Sequence, residues 1–331
     1  MSARRWVSVL SVAVLVAGCS REPAAPPQAQ AEAPPAEAAA APAAESPAVI
    51  TFTTAGTLPE GVEYDAKNGR FLVGSLSKGT VFVVGSDGTL TPFIEDADLK
   101  SSVGIEVDEE RNRLLVANSD SAVFQGKSAG QAKLGIYDLD SGERVAMVDL
   151  AAVGPKGAKA HFANDVTVGA DGSVYVTDSF ARVVYKVDPS NTASVFLPNS
   201  FGSIKDHMFN GIVFNPAGYL LVAESVTGDL YKVPVDDPKK LSKVKVPDSL
   251  AGADGLVPHP NGSVIVVRND NSLTAVALSS ADDWASASAA GKGTFSMQGT
   301  TAAVAGDDVY VVHPHFGDPN AMPSIEKVAL Q

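Results

Sequence analysis

The sequence predicts an all-β fold, a six-bladed β-propeller whose ring is closed by an N-terminal strand. The first observation is a repeated unit. Its clearest copy is FNGIVFNPAGYLLVAES at 209–225: an amide, a glycine, a short apolar run, a Pro-Ala-Gly turn and a second apolar run. Short apolar runs bounded by Pro, Gly and Asn read as a strand, a tight turn and a partner strand. The second observation is spacing. The unit restarts at Gly61, Gly104, Asp165, Gly211, Gly255 and, in a degenerate form, Ala302. A repeat of roughly 40–50 residues built from short strands is the mark of a propeller. One step, from Gly104 to Asp165, is longer.

In chain order, 1–19 reads as a targeting segment, with Arg4 and Arg5 before a short apolar stretch. That stretch is too short to span a bilayer comfortably. It ends in Val16-Ala17-Gly18-Cys19, which looks like a bacterial lipobox, so Cys19 is expected to be lipid-modified. Ser20 after it suggests outer-membrane sorting, with the domain anchored in a bacterial envelope and facing the periplasm. Cys19 is the only cysteine, so the mature domain has none for a disulfide or thiol catalysis. Residues 20–48 are nearly all Ala, Pro, Glu and Gln and read as an extended tether. The folded domain is 49–331. Formal charge is −13, which argues against nucleic acid or anionic lipid as partner and suits a cation. The membrane is reached only through the anchor, and a monomer is expected.

Within the propeller, blade one has strands at 62–64, 70–75, 80–84 and 89–93. The turns Lys67-Asn68-Gly69, Ser77-Lys78-Gly79 and Ser86-Asp87-Gly88 supply the positive-φ positions that hairpins need. Blade two carries a polar insert at 121–132, either a lid over the channel or a surface loop, and its Gly/Ser/Gln composition favours the loop. Blades three and four are the most regular. In blade five, 279–293 is polar and Ala/Ser-rich and reads as a loop or a short surface helix. Blade six ends at 325–330. The orphan strand 49–53 (VITFT) at the other terminus would pair into it and remove an exposed edge.

The chemistry lies just before each restart. Those residues are Glu60, Val103, Asn164, Asn210, Asp254 and Thr301. Innermost strands begin at one mouth of the channel, so equivalent residues converge there. Glu60, Asn164, Asn210 and Asp254 are oxygen donors, two carboxylates and two amides, the set a hard cation such as Ca²⁺ prefers. One Asn or Asp beside a Gly is ordinary turn chemistry; four in register point to a metal. Residues ending strand two, namely Ser75, Asn118, Asp178, Glu224, Arg268 and His313, are expected nearby. His161 and His207 each precede a ring amide by three residues and are candidates to line the pocket and move protons. Arg268 reads as a structural partner of Glu224 or Asp178, His313 and His315 as structural or surface residues, and His259 as surface at the opposite end. Asp165 reads as support for the site from behind a ligand.

With these residues in place, the chain over about 55–330 resembles the senescence-marker-protein/gluconolactonase/luciferin-regenerating-enzyme family of six-bladed propellers. The resemblance rests on Glu60 in LPEGVEYD, Asn164 in ANDVTVGADGSVYVTDS, Asn210 in FNGIVFNPAG and Asp254 in ADGLVPHPNG. It implies that these four ring a divalent cation, usually Ca²⁺, with Asp254 as catalytic nucleophile or base. Sugar-lactone members often carry an Arg two residues before the first ring Asn; here that residue is Phe162. Together with Met208 and Phe209 it implies a more apolar pocket than an aldonolactone needs.

The expected activity is Ca²⁺-dependent hydrolysis of lactones or related esters, the cation polarising the carbonyl and His161 and His207 assisting proton transfer. The alternative is a non-catalytic envelope propeller whose metal is structural and whose face binds a partner or ligand. A strictosidine-synthase-like propeller without a catalytic metal is disfavoured by the presence of all four oxygen donors.

Overall fold

The computed structural model describes residues 48–199, 208–318 and 320–331. They form six sheets in chain order around a channel. Blade 1 is Val62–Asp65, Arg70–Val73, Val81–Val84 and Leu90–Ile94. Blade 2 is Ser101–Asp108, Arg113–Ser119, Lys133–Asp138 and Arg144–Asp149. Blade 3 is His161–Val168, Val174–Asp178, Val183–Val187 and Ala193–Leu197. Blade 4 is Phe209–Asn215, Tyr219–Glu224, Asp229–Pro234 and Ser242–Lys243. Blade 5 is Ala253–Pro258, Val264–Arg268, Thr274–Ser279 and Ser288–Thr294. Blade 6 joins Ala302–Ala305, Asp308–His313 and Ser324–Val328 to the N-terminal strand Val49–Thr51. That strand runs antiparallel to Ser324–Val328, pairing Ile50 with Ile325. It closes the ring with hydrogen bonds, as the orphan strand required.

Hydrophobic packing lies between blades. One cluster sets Leu115, Leu134 and Ile136 of blade 2 against Val166, Val174 and Tyr185 of blade 3. Five more clusters fill the other blade interfaces. Second strands such as Tyr219–Glu224 and Val174–Asp178 are buried along their whole length, because each is covered on both faces. Continuous apolar runs, rather than alternating ones, are the consequence.

The glycine of the repeat is explained near the axis. A Cβ at Gly211 would stand 2.2 Å from the Asp254 carbonyl oxygen and 2.7 Å from the Leu256 nitrogen. Gly61, Gly104 and Gly255 face the next blade equally closely. Innermost strands therefore meet where only glycine fits. Blade 3 has Asp165 instead, and its carboxylate fills the space: Ile212 N of the next blade donates to Oδ2 at 3.0 Å and Val166 N to Oδ1 at 2.9 Å. Asp165 is thus a strut between blades 3 and 4.

Two segments differ from expectation. In blade 5, Ser288–Thr294 is the outermost strand, pairing Thr274 with Thr294 and Val276 with Lys292. An outer strand exposed along most of its length needs no apolar run, so its composition resembles a loop. Before it, Trp284 is buried in the blade 4–5 cluster. In blade 2, the insert is a packed lid rather than a loose loop. Asp120 caps a 3-10 turn at Ser121–Gln125, Gly126 ends it at φ 64°, and Gly130–Gln131 pairs in parallel with His161 and Phe162. The insert thereby crosses from blade 2 to blade 3.

Candidate functional site

The mouth where innermost strands begin holds a cavity of about 500 Å³. Glu60, Asn164, Asn210 and Asp254, contributed by blades 1, 3, 4 and 5, all line it. Asn164 is buried, and its amide is oriented: Nδ2 donates to Ser179 Oγ at 2.9 Å, and Ser179 Oγ donates to the Phe209 carbonyl at 2.7 Å. Asn164 Oδ1 is left buried without a hydrogen-bond partner. A buried orphan acceptor is costly and uncommon, and a cation would satisfy it. Asp254 is buried too, and Asn269 Nδ2 donates to its Oδ2 at 2.7 Å. Gln298 Nε2 in turn donates to Asn269 Oδ1, fixing that amide. Thr300 Oγ1 donates to the Glu60 carbonyl at 2.8 Å and ties blade 6 to blade 1 at the mouth.

The electrostatics suit a positive guest. Burial pushes the Asp254 carboxyl up to about 7, although the Asn269 and Asn210 amides favour its ionised form. Burial raises Glu60 well above the usual carboxylate range, and the nearby Asp254 and Asp165 charges raise it further. Among the described residues no three His, Cys, Asp or Glu side chains gather as a metal site. The ring here has two carboxylates, and its other oxygens are amides. By donor chemistry these four are the residues able to hold a hard cation.

Below the mouth the channel narrows to about 20 Å³ of open space, lined by Glu63, Glu106 and Asp165 among others. Burial raises Glu63 to about 8 and Asp165 to about 7, and burial then Glu63 raise Glu106 well above its ordinary value. The signal for these glutamates was in the sequence. Each stands two residues beyond a ring glycine, on the same strand face.

His161 does not line the cavity. Its Nδ1 lies 2.8 Å from Asp178 Oδ2, a bond that raises the imidazole pKa. The innermost strand of blade 3 starts at His161, so an offset of three puts His161 and Asn164 on opposite faces. Phe162, two residues from Asn164, takes the cavity side instead. His207 lies outside the described residues, as does Cys19.

The strand-two ends are also displaced by one. Asp178 accepts from the backbone N–H groups of Phe162, Phe180 and Ala181. Glu224 accepts from Met208, Val226 and Thr227. Both pin loops rather than face the ring. Arg268 pairs with neither: its Nη2 lies 2.7 Å from Asp270 Oδ2 and its Nε donates to the Ala251 carbonyl. Strand two pairs Ala163 with Asp178, Phe209 with Glu224 and Ala253 with Arg268. The following residues, Ser179, Ser225 and Asn269, are the ones that line the cavity. A one-residue shift changes the face. His313 is buried, its Nδ1 3.1 Å from the Gln298 carbonyl and its Nε2 3.1 Å from Glu326 Oε2; it is structural. His259 is half-buried, with Nε2 3.1 Å from the Asp307 carbonyl.

The family model described as "SMP-30/Gluconolactonase/LRE-like region" matches residues 45–282. No curated protein matches the chain. Among solved structures, the major allergen Mala s 1 of Malassezia sympodialis is similar at 20% identity and a TM-score of 0.71, over 86% of this chain and 96% of that one. A gluconolactonase from Xanthomonas campestris gives 16% identity and a TM-score of 0.58, over 85% and 89%. Virginiamycin B lyase from Staphylococcus aureus gives 13% and 0.56, over 86% and 98%. At these identities the likeness is one of fold.

Proposed function

Because the chain belongs to the SMP-30/gluconolactonase/LRE-like family, we propose that it is a Ca²⁺-dependent hydrolase of lactones or related esters. The observation that carries the reading is the convergence of Glu60, Asn164, Asn210 and Asp254 on one cavity, with Asn164 Oδ1 buried and unpartnered. A divalent cation held by these four would supply positive charge to polarise the ester carbonyl and offset the charge growing on its oxygen.

The chain's own groups do the rest. Asp254, held at Oδ2 by Asn269, either attacks the carbonyl carbon or takes the proton of an attacking water. The bond that Asn164 Nδ2 donates to Ser179 Oγ and the one that Thr300 Oγ1 donates to the Glu60 carbonyl hold ring residues in place without ordering by substrate. His161, turned to Asp178, has no proton-transfer role in this reading.

The test is hydrolysis of a panel of small lactones and aryl esters by the full chain, with Ca²⁺ and with chelator. Activity lost on chelation and restored by Ca²⁺ is the expected result. Asp254→Asn should lower kcat by at least about a hundredfold, the scale of a lost general base. If Ca²⁺ raises thermal stability but nothing is hydrolysed, the metal is structural and the chain is a binding propeller. We also propose a lipid anchor at Cys19 in a bacterial envelope, resting on Val16-Ala17-Gly18-Cys19. Metabolic labelling with a fatty acid, lost in Cys19→Ser, is the expected result.

A further inference from the structure

We infer that the blade 2 lid is a specificity element, and that Phe124 on it selects lactones or esters bearing an apolar chain of several carbons. This deepens the hydrolytic reading above and rests on it.

The cavity is divided by chemistry. Most of its polar groups gather at the floor, around the ring and Asn269, with Gln125 beside Phe124 on the lid as the exception. Its upper wall is Leu76, Phe124, Phe162, Met208 and Phe316. Phe124 meets Phe162 edge-on at 4.7 Å between ring centroids and Phe180 at 5.4 Å. Phe124 is nevertheless 59% exposed. A large aromatic ring held by two others over an open cavity leaves apolar surface that a ligand can cover. Its backbone is positioned by the Asp120 cap, by Gly126 and by the pairing of Gly130–Gln131 with blade 3.

What the wall lacks is equally informative. No Lys, Arg or His is among the described residues lining the cavity, so apart from the cation the described lining offers a substrate carboxylate or phosphate no counter-charge. A polyhydroxylated lactone would place several hydroxyls against Leu, Met and Phe side chains, and each buried without a partner is costly. An alkyl chain on the ring meets matching surface. With the ester at Asp254 and Asn164 on the floor, the chain extends up the wall to Phe124.

The test is kcat/KM of the Ca²⁺-loaded full chain on γ-butyrolactone, γ-caprolactone, γ-octalactone and γ-decalactone, with gluconolactone alongside. The wild type should gain roughly two- to fourfold per added methylene, the effect of burying a CH₂ group, chiefly through KM. Gluconolactone should be the poorest substrate. Phe124→Ser should flatten the chain-length slope and Phe124→Leu should retain most of it. Val145→Ser, at an exposed apolar residue on the outer strand of the same blade, should leave the slope intact. Equal slopes in wild type and Phe124→Ser, or gluconolactone as the best substrate, would overturn the inference. If no lactone is hydrolysed, the hydrolytic reading fails separately. Calorimetric binding of γ-lactams with the same chains then decides: affinity rising with chain length in the wild type but not in Phe124→Ser sustains the apolar site, and a flat wild-type series rejects it.

Discussion

Removing divalent cation should make the folded chain progressively less stable as pH rises from about 5 to about 8, and Asp254 should carry a measurable share of that slope. The Asp254 carboxyl titrates near 7 in the fold against an ordinary value of 3.8. Between those values the folded chain keeps a proton that the unfolded chain has released. Raising pH therefore favours unfolding. Each unit of difference corresponds to about 1.4 kcal/mol, so between about pH 5 and the folded value near 7 Asp254 alone costs on the order of 3 kcal/mol. For a domain of this size that is roughly 5–10 °C in Tm. Glu60, Glu63, Glu106 and Asp165 act in the same direction. Surface carboxylates such as Asp87, Asp138 and Asp188 have lowered pKa values; they are already ionised in both states in this window and add no slope. The assay is thermal melting of the full chain across the window, in chelator and in saturating Ca²⁺, for wild type and Asp254→Asn. Wild-type Tm in chelator should fall with pH, and the variant's should fall by less, by the share that Asp254 contributes. Ca²⁺ at about a hundred times its Kd should add about 2.7 kcal/mol, and more at the alkaline end, where no proton must be displaced. Parallel slopes for wild type and variant, or a Ca²⁺ effect equal at both ends, would refute the reasoning.

Three further outcomes are expected. Gly211→Ala forces a Cβ to 2.2 Å from the Asp254 carbonyl oxygen; overpacking of this kind costs about 1–3 kcal/mol, read as a lower Tm and weaker Ca²⁺ stabilisation. His161→Asn should leave kcat near wild type but remove a pH-dependent stability term. The Asp178 bond raises the His161 pKa, so its contribution is fully present below the unfolded value near 6.5 and is lost as pH rises through the folded one; Tm curves of variant and wild type should converge at alkaline pH. Glu106→Gln removes a half-buried channel carboxylate whose ionisation desolvation opposes first, then Glu63 and Asp165. It should raise Tm at neutral pH, and a fall there would show that the charge is needed in the channel.

The sequence by itself determined the ring. Gly61, Gly104, Gly211 and Gly255 recur because innermost strands approach too closely for a Cβ, and a steric requirement repeated in every such blade leaves a period that can be read. The residue before each glycine, or before Asp165 in blade 3, inherits that register, so Glu60, Asn164, Asn210 and Asp254 were legible as a set. Closure by Val49–Thr51 was legible as well, because an apolar strand without a partner needs one. Only the tertiary structure decided the cavity wall. Whether His161 or Phe162 faces the channel depends on where the strand begins, and a single residue reverses the face. Ser179, Ser225 and Asn269 displaced Asp178, Glu224 and Arg268 for the same reason. Phe124 belongs to a different blade from every ring donor, in a segment with loop-like composition. Its place over the mouth follows from Gly130–Gln131 pairing with blade 3, a backbone contact that no side-chain pattern records. The outer strand Ser288–Thr294 is hidden in the same way, since its hydrogen bonds come from the backbone and its faces are mostly in water.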